Sequence, residues 1–195
     1  AARRWGIRNV SGYMVMKHSP NLGKFYKDLH AGFKKEKGLA KHLTMPAIFL
    51  HSVNSADPKK LREIGQILRE NQETRFIVHV SETRQEEALT RRRYGLGQTT
   101  VLDHFGLLGP QSILIHCNWL TARDRRVIAE RGASIVHCPN TNLKTDDGIL
   151  DLSRLPKSVP VGLGTDGLMT SGTLDIRSEA RSAQKYCNRS GKYPL

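Results

Sequence analysis

The chain has 195 residues, a formal net charge of +13 and 38% hydrophobic residues. This length can bury one sizeable core, so we expect residues 1–195 to form a single domain. No run approaches the roughly 20 consecutive apolar residues of a membrane helix, which excludes a membrane-spanning protein. The three cysteines are widely spaced, which favours a reducing, cytoplasmic location over a disulfide framework.

The basic residues are concentrated in residues 17–42 and in the arginine run at 91–93. Positive surfaces attract phosphates and other anions without specificity. A nucleic-acid-binding segment would interleave its charges with aromatic residues or carry a known motif. Only Phe25, Tyr26 and Phe33 fall in the first segment. We therefore interpret both segments as solvated faces and expect no nucleic-acid partner.

Short β-rich runs alternate with helical patterns along the chain. Strands are predicted at residues 7–16 (interrupted at Ser11 and Gly12), 47–53, 76–80, 112–117, 133–138 and 159–163. Helices are predicted at residues 58–71, 83–94 (solvent-facing), 121–131 and 174–186. Asp57 and Thr121 are expected to start helices, and Gly132 to end one. Several strands are nearly continuous apolar runs, so the pattern predicts an α/β fold whose parallel sheet is covered on both faces.

Polar residues that can bind metals end five of the predicted strands. His51, His79, His116 and His137 end four successive strands, and Asp166 follows the last one. A single histidine at such a position is more often a packing residue than a ligand. The carboxyl ends of strands in an α/β barrel converge on one face, however, so five such residues together predict a common site. Imidazole and carboxylate ligands suit zinc and iron ions.

Two alternatives concern residues beside these histidines. Glu82 follows His79 by three positions, where it could stabilise a helix N-terminus or carry protons near a metal ion. The two His-Cys pairs at residues 116–117 and 137–138 could also form a structural zinc site. Adjacent strand residues point to opposite faces, which disfavours that second site.

Four strings in the chain, in this order and spacing, resemble the amidohydrolase superfamily. They are His-Val-Ser-Glu-Thr at 79–83, Ile-His-Cys at 115–117, His-Cys-Pro-Asn-Thr-Asn at 137–142 and Gly-Leu-Gly-Thr-Asp-Gly at 162–167. The resemblance covers about residues 45 to 186, and it is to the branch that contains cytosine, guanine and adenosylhomocysteine deaminases and triazine hydrolases. It implies a (β/α)8 TIM-type barrel, represented here by about strands three to eight.

The resemblance also implies roles for the central residues. His79 resembles a metal ligand, and Asp166 resembles the aspartate that touches the metal and accepts a proton from the bound water. Glu82 resembles the carboxylate that carries protons to the ring nitrogen and the departing group. His116 resembles the histidine that either polarises the leaving-group carbon or orients the water.

The remaining site residues are implied to contact the substrate. His51 resembles a substrate-contacting histidine, while His137 and Asn142 match a motif that borders the substrate pocket. The implied activity is hydrolysis of a C–N bond in a small heterocyclic substrate, such as a nucleobase, nucleoside or triazine. The implied cofactor is a divalent metal, with zinc favoured over iron.

The chain departs from the family pattern because it contains no His-x-His motif, which supplies two further ligands on the first strand. It is also shorter than the about 250 residues of a complete barrel. We therefore expect a fragment whose first two strands precede Ala1, or else a catalytically dead remnant or basic binding module. His79 and Asp166 alone would bind a metal weakly. Open sheet edges would favour a homo-oligomer.

Overall fold

The computed structural model describes residues 6–19, 22–35 and 43–187. Within this part of the chain, six strands form one fully parallel sheet whose spatial order follows the sequence. The strands are β1 (Asn9–Val15), β2 (Thr44–Ser52), β3 (Arg75–Val80), β4 (Ser112–His116), β5 (Ser134–His137) and β6 (Val161–Leu163). All six predicted strands are present, which confirms the predicted parallel sheet.

Helices connect consecutive strands. The α-helices of the described residues are α1 (Leu22–Lys34), α2 (Pro58–Glu70), α3 (Arg84–Tyr94), α4 (Gln98–His104), α5 (Ala122–Arg131), α6 (Pro139–Lys144), α7 (Leu168–Ser171) and α8 (Ile176–Ser182). Short 3-10 turns at Val53–Ser55 and Leu152–Arg154 complete the connections. In the part of the chain with described structure, no helix is long and apolar enough to cross a membrane.

Local sequence signals set the ends of two of these helices. Asp57 caps α2 by accepting a hydrogen bond from a backbone N–H, and Pro58 occupies the first turn, where it costs no hydrogen bond. Thr121 and Asp124 form a capping box at the start of α5, and Gly132 ends that helix with a left-handed φ of 69°. The predicted helix signals are therefore confirmed.

The two faces of the sheet differ in burial. In β3, Phe76, Val78 and Val80 are fully buried against the core, whereas the alternating residues Ile77 and His79 are only half-buried. Successive side chains of a strand point to opposite faces, so this alternation separates a fully covered face from a partly open one. The expectation that both faces are fully covered does not hold for the described residues. His79 lies on the partly open face.

Several elements differ from the sequence prediction. Helix α1 lies in the basic segment, where no helix was predicted; the amphipathic signal there was obscured by lysines. Strand β1 continues through Gly12, which packs so close to the carbonyl of Ala47 that only a residue without a Cβ fits. Helix α3 is not simply solvent-facing, because Glu87 and Thr90 are buried.

The end of the chain also differs. The predicted helix at 174–186 is divided into α8 and a following π-helical turn, Ala183–Cys187. Helices α4 and α6 were not predicted, since each has fewer than two full helical repeats over which a pattern could show. The N-terminal residues 1–5 and the C-terminal residues 188–195 lie outside the described part.

Gly65 tests the packing of α2 against the turn that follows α4. A Cβ at this position would overlap the carbonyl oxygen of Phe105. We expect Gly65→Ala to lower the free energy of unfolding by about 1–3 kcal/mol, although alanine is the better helix former. Urea denaturation measures this change.

The matched control is Gly32→Ala in α1, where a Cβ would have nothing within 4 Å. That substitution is expected to raise the free energy of unfolding by up to about 1 kcal/mol. Equal stabilisation by both substitutions would contradict the close packing described for Gly65.

Candidate active site

Three of the predicted histidines cluster at the carboxyl ends of β2, β3 and β4. The His79 ring lies 5.1 Å from the His51 ring and 5.2 Å from the His116 ring, centroid to centroid. His79 Nδ1 is 2.7 Å from the carbonyl oxygen of His51. A carbonyl only accepts, so Nδ1 carries the proton and Nε2 keeps its lone pair. Burial lowers the pKa of His79, which keeps the ring neutral.

A left-handed backbone turn brings His116 to this cluster. In the β3–β4 ladder His79 is opposite Ile115, so regular strand geometry would point His116 to the other face. Instead His116 has a φ of 71° and Cys117 a φ of 59°. Such angles cost residues other than glycine about 1–3 kcal/mol and concentrate at functional sites. The turn allows the His116 ring to stack on His79.

Glu82 and His116 form an acid–base pair in which His116 is buried and Glu82 is partly exposed. Glu82 Oε1 is 3.3 Å from His116 Nε2, and the His116 side chain is only 1% exposed. Burial, followed by the negative charges of Glu86, Asp147 and Asp166, raises the pKa of Glu82 to about 7. Burial, followed by the electrostatic influence of the neighbouring His79 imidazole, lowers the pKa of His116 to about 4. Of the two groups, Glu82 therefore binds a proton more readily than His116, and it exchanges that proton near neutral pH.

A chain of side-chain amides connects the other side of His116 back to Glu82. His116 Nδ1 is 3.0 Å from Asn142 Oδ1. Asn142 Nδ2 donates to Asn118 Oδ1 at 2.9 Å, and Asn118 Nδ2 donates to the Glu82 carbonyl at 3.1 Å. Asn142 is only 1% exposed and its amide contacts His116, and its predicted role at the border of the substrate pocket stays a prediction. Sequence reasoning did not identify Asn118.

A second buried group fixes the turn between His79 and Glu82. Ser81 has a φ of 50°, and its hydroxyl donates to Glu87 Oε1 at 2.7 Å. The backbone N–H of Ser81 donates to Gln98 Oε1 at 3.3 Å. The backbone N–H of Gln98 donates in turn to Glu87 Oε1, also at 3.3 Å. Glu87 was not predicted to have a role. Its sequence position in the first turn of a charged helix made it resemble a solvent-exposed carboxylate.

Asp166 belongs to the same group of side chains. It follows β6 in an exposed turn with a φ of 55°, and its Oδ1 accepts a hydrogen bond from the Gly167 N–H at 2.7 Å. Its negative charge raises the pKa of His79 and of Glu82. These electrostatic effects are the link that the structure gives between Asp166 and the other predicted site residues.

His51, at the edge of the cluster, and His137, outside it, are in different environments. His51 is exposed beside His79, where it could meet a ligand. His137 is fully buried, and burial lowers its pKa to about 4 despite a hydrogen bond to the backbone of His116. A substrate-contacting role for His137 stays a prediction.

The arrangement around His79 fits part of a metal site. Histidines that bind zinc usually donate their second ring N–H to a carbonyl or carboxylate, as His79 does to His51. A catalytic zinc site has three protein ligands and an open position. Among the described residues, no three His, Cys, Asp or Glu side chains are grouped so that they could hold an ion. The assignment of His79 and Asp166 to two positions of such a set stays a prediction.

The cysteines beside the histidines have a different character. Cys117 and Cys138 are buried free thiols. Burial raises the pKa of both thiols, that of Cys138 to about 12, whereas zinc binds the thiolate form. This disfavours the alternative His-Cys zinc site.

Comparison with known proteins gives consistent matches. A family model described as "Amidohydrolase family" matches residues 1–193. The chain is 35% identical to 5-methylthioadenosine/S-adenosylhomocysteine deaminase 2 of Archaeoglobus fulgidus, over 96% of the chain and 45% of that protein. It is 33% identical to 5'-deoxyadenosine deaminase of Methanothrix thermoacetophila, over 94% of the chain and 43% of that protein.

A solved structure shows the same fold. The crystal structure of an adenosine deaminase from Xanthomonas campestris with bound zinc superposes with a TM-score of 0.83 and 26% identity. The match covers 94% of the chain and 42% of the solved chain. The chain thus spans less than half the length of the proteins it matches. The predicted α/β fold, part of a TIM-type barrel, is confirmed.

The raised pKa of Glu82 predicts a pH-dependent stability. Between the ordinary value of 4.5 and about 7, the folded protein binds more protons at Glu82 than the unfolded protein does. The free energy of unfolding therefore falls as the pH rises through this window. Glu82→Gln removes this titration. We expect the free energy of unfolding of the variant, minus that of wild type, to increase by roughly 1–3 kcal/mol as the pH rises from about 4.5 to about 7.5. Urea denaturation measures this difference.

Glu130→Gln is the control, because Glu130 is an exposed carboxylate on α5. Its unfolding curve should shift in parallel with that of wild type at every pH. A Glu82→Gln variant whose stability difference from wild type does not change with pH would show that Glu82 titrates normally.

Proposed function

Because the chain belongs to the amidohydrolase family, we propose that it catalyses metal-dependent hydrolysis of a C–N bond in a heterocycle. The substrate class that we propose is an adenosine-type nucleoside, which is deaminated to release ammonia. The relatives support this class, since their names are those of methylthioadenosine, adenosylhomocysteine and deoxyadenosine deaminases. One observation carries the proposal: the Glu82–His116 pair, in which Glu82 binds a proton more readily than His116, lies beside His79.

The metal ion is a divalent cation, and the zinc bound by the Xanthomonas deaminase favours zinc over iron. His79, through Nε2, and Asp166, through a carboxylate oxygen, are the residues that would hold it, together with further ligands. When bound, such an ion lowers the pKa of a coordinated water towards neutrality. The hydrogen bond from His79 to the His51 carbonyl orients the imidazole for this purpose.

The protein residues move the protons of the reaction. Asp166 accepts a proton from the attacking water as its oxygen bonds to the amine-bearing carbon. Glu82, protonated near neutral pH, donates to the adjacent ring nitrogen, which takes up the electron pair of the opened C=N bond. Glu82, now a carboxylate, takes the proton of the new hydroxyl group and passes it to the amine, so that the C–N bond breaks as the C=O bond forms and ammonia leaves. Transfer of the proton on Asp166 to Glu82 restores both groups. His51 contacts the heterocycle at the exposed side of the site.

Two further proposals concern the setting of the enzyme. We propose a cytoplasmic protein with no nucleic-acid partner, which the free thiols Cys117 and Cys138 support. We also propose that residues 1–195, expressed by themselves, self-associate through sheet edges. In the described residues β1 and β6 each pair with a single strand, and unpaired edges favour pairing with another chain.

An ammonia-release assay on the full-length gene product tests the function. We expect the purified protein to contain zinc and to deaminate at least one adenosine-type nucleoside. Glu82→Gln should lower kcat by about 10²- to 10⁴-fold, the usual contribution of a general acid, without loss of zinc. Metal analysis accompanies the kinetics.

Glu130→Gln, remote on α5, serves as the matched control and should retain wild-type kcat. The proposed function is wrong if zinc-loaded protein releases no ammonia from adenosine-type nucleosides, guanine or aminotriazines. Full activity of Glu82→Gln would retain the reaction but remove Glu82 from it.

A further inference from the structure

Asn118 and Asn142 have no role in the reaction proposed above. Their side-chain amides nevertheless form a continuous path of hydrogen bonds from the His116 imidazole to the backbone. His116, Asn118 and Asn142 are between 1% and 9% exposed, so water does not compete for their hydrogen bonds. The path begins at His116 Nδ1 and ends at the Glu82 carbonyl. With the contact between Glu82 Oε1 and His116 Nε2, it closes into a ring that starts and ends on Glu82.

The direction of every hydrogen bond in this ring follows from its one backbone member. The Glu82 carbonyl can only accept, so the Asn118 atom that faces it, 3.1 Å away, is the amide nitrogen. Asn118 Oδ1 then faces Asn142 and requires a donor, which is Asn142 Nδ2 at 2.9 Å. The remaining atom of that amide, Asn142 Oδ1, faces the imidazole as an acceptor.

These hydrogen bonds also determine which nitrogen of the His116 imidazole carries a proton. Because Asn142 Oδ1 cannot donate, His116 Nδ1 must carry the proton across the 3.0 Å contact. A neutral imidazole carries only one N–H, so Nε2 is left with a lone pair. The group opposite Nε2 must then donate, and the protonated carboxyl of Glu82 can do so at 3.3 Å.

We propose that Asn118 and Asn142 are positioning residues that fix His116 in the Nδ1–H tautomer, so that its Nε2 meets the reacting groups only as a hydrogen-bond acceptor. This inference rests on the proposed function for its catalytic consequence. Of the two roles implied for His116, it selects orientation of the attacking water by accepting an O–H hydrogen bond. Polarisation of the leaving-group carbon would need an N–H at Nε2, which a neutral, buried His116 protonated at Nδ1 does not have.

Nitrogen NMR of the histidine side chains tests the tautomer directly. In the full-length protein labelled with ¹⁵N-histidine, at neutral pH, His116 should show a protonated Nδ1 and an unprotonated Nε2. The His116 signal is assigned by its disappearance in His116→Gln. A wild-type His116 protonated at Nε2 overturns the proposal, whatever the variants do.

Variants then separate positioning from general structural support. Asn118→Leu leaves the contact between His116 and Asn142 in place but releases the Asn142 amide to rotate, so the tautomer should become mixed. Asn142→Asp should keep the proton on Nδ1, since a carboxylate only accepts. Asn140→Leu is the matched control on α6, because Asn140 bonds to Ser178 and Ser182 outside the ring. In this variant the His116 tautomer should equal that of the wild-type protein.

Kinetics supply a second readout. Asn118→Leu should lower kcat by roughly 10- to 100-fold with little change in KM, because it disturbs orientation rather than binding. An unchanged tautomer and an unchanged kcat in Asn118→Leu would overturn the proposal. The NMR measurement needs no turnover, so a wild-type protein with the Nδ1–H tautomer but no deaminase activity would contradict the proposed function and support the assignment of the ring.

Discussion

The burial of Glu82 against His116 is the constraint on which the rest of the site depends. Two ionisable groups in contact away from water share one proton, because charging either one alone is costly. Burial, followed by the negative charges of Glu86, Asp147 and Asp166, raises the pKa of Glu82 and so favours a proton on that carboxyl group. Every other feature at the strand ends serves to hold these two side chains together. The turn at His116, the amide path and the Ser81–Glu87 contact all act in this way.

The parallel sheet makes this assembly feasible. Strands that run in the same direction end at the same edge, so residues far apart in sequence meet without long loops. Regular strands alone would not complete the site, since alternation would point His116 away from His79. Ser81 after β3 and His116 at the end of β4 have left-handed φ angles. The turn at His116 directs its side chain towards His79. Strain is thus localised where a functional side chain must change face.

The sequence predicted the positions of the strands and of the central residues because both follow simple rules. Apolar runs marked the strands, and the last polar residue of each run marked His79 and His116. The supporting residues have no comparable signal. Asn118 lies in a short loop without periodicity, and Glu87 lies among exposed charges in α3. The positive φ angles of Ser81 and His116 could also not be predicted from the sequence, since turns of this type usually contain glycine.

The strained turn at Ser81 bears on any attempt to improve the protein by laboratory evolution. Glycine would relax that backbone, and a screen that rewards heat tolerance alone would accept it wherever the relief of strain outweighs the loss of the buried hydrogen bond. The same exchange would delete the hydroxyl that tethers Glu87 and would loosen the segment carrying Glu82. Selection for thermal stability would therefore favour glycine at position 81, whereas selection for catalytic turnover would favour serine.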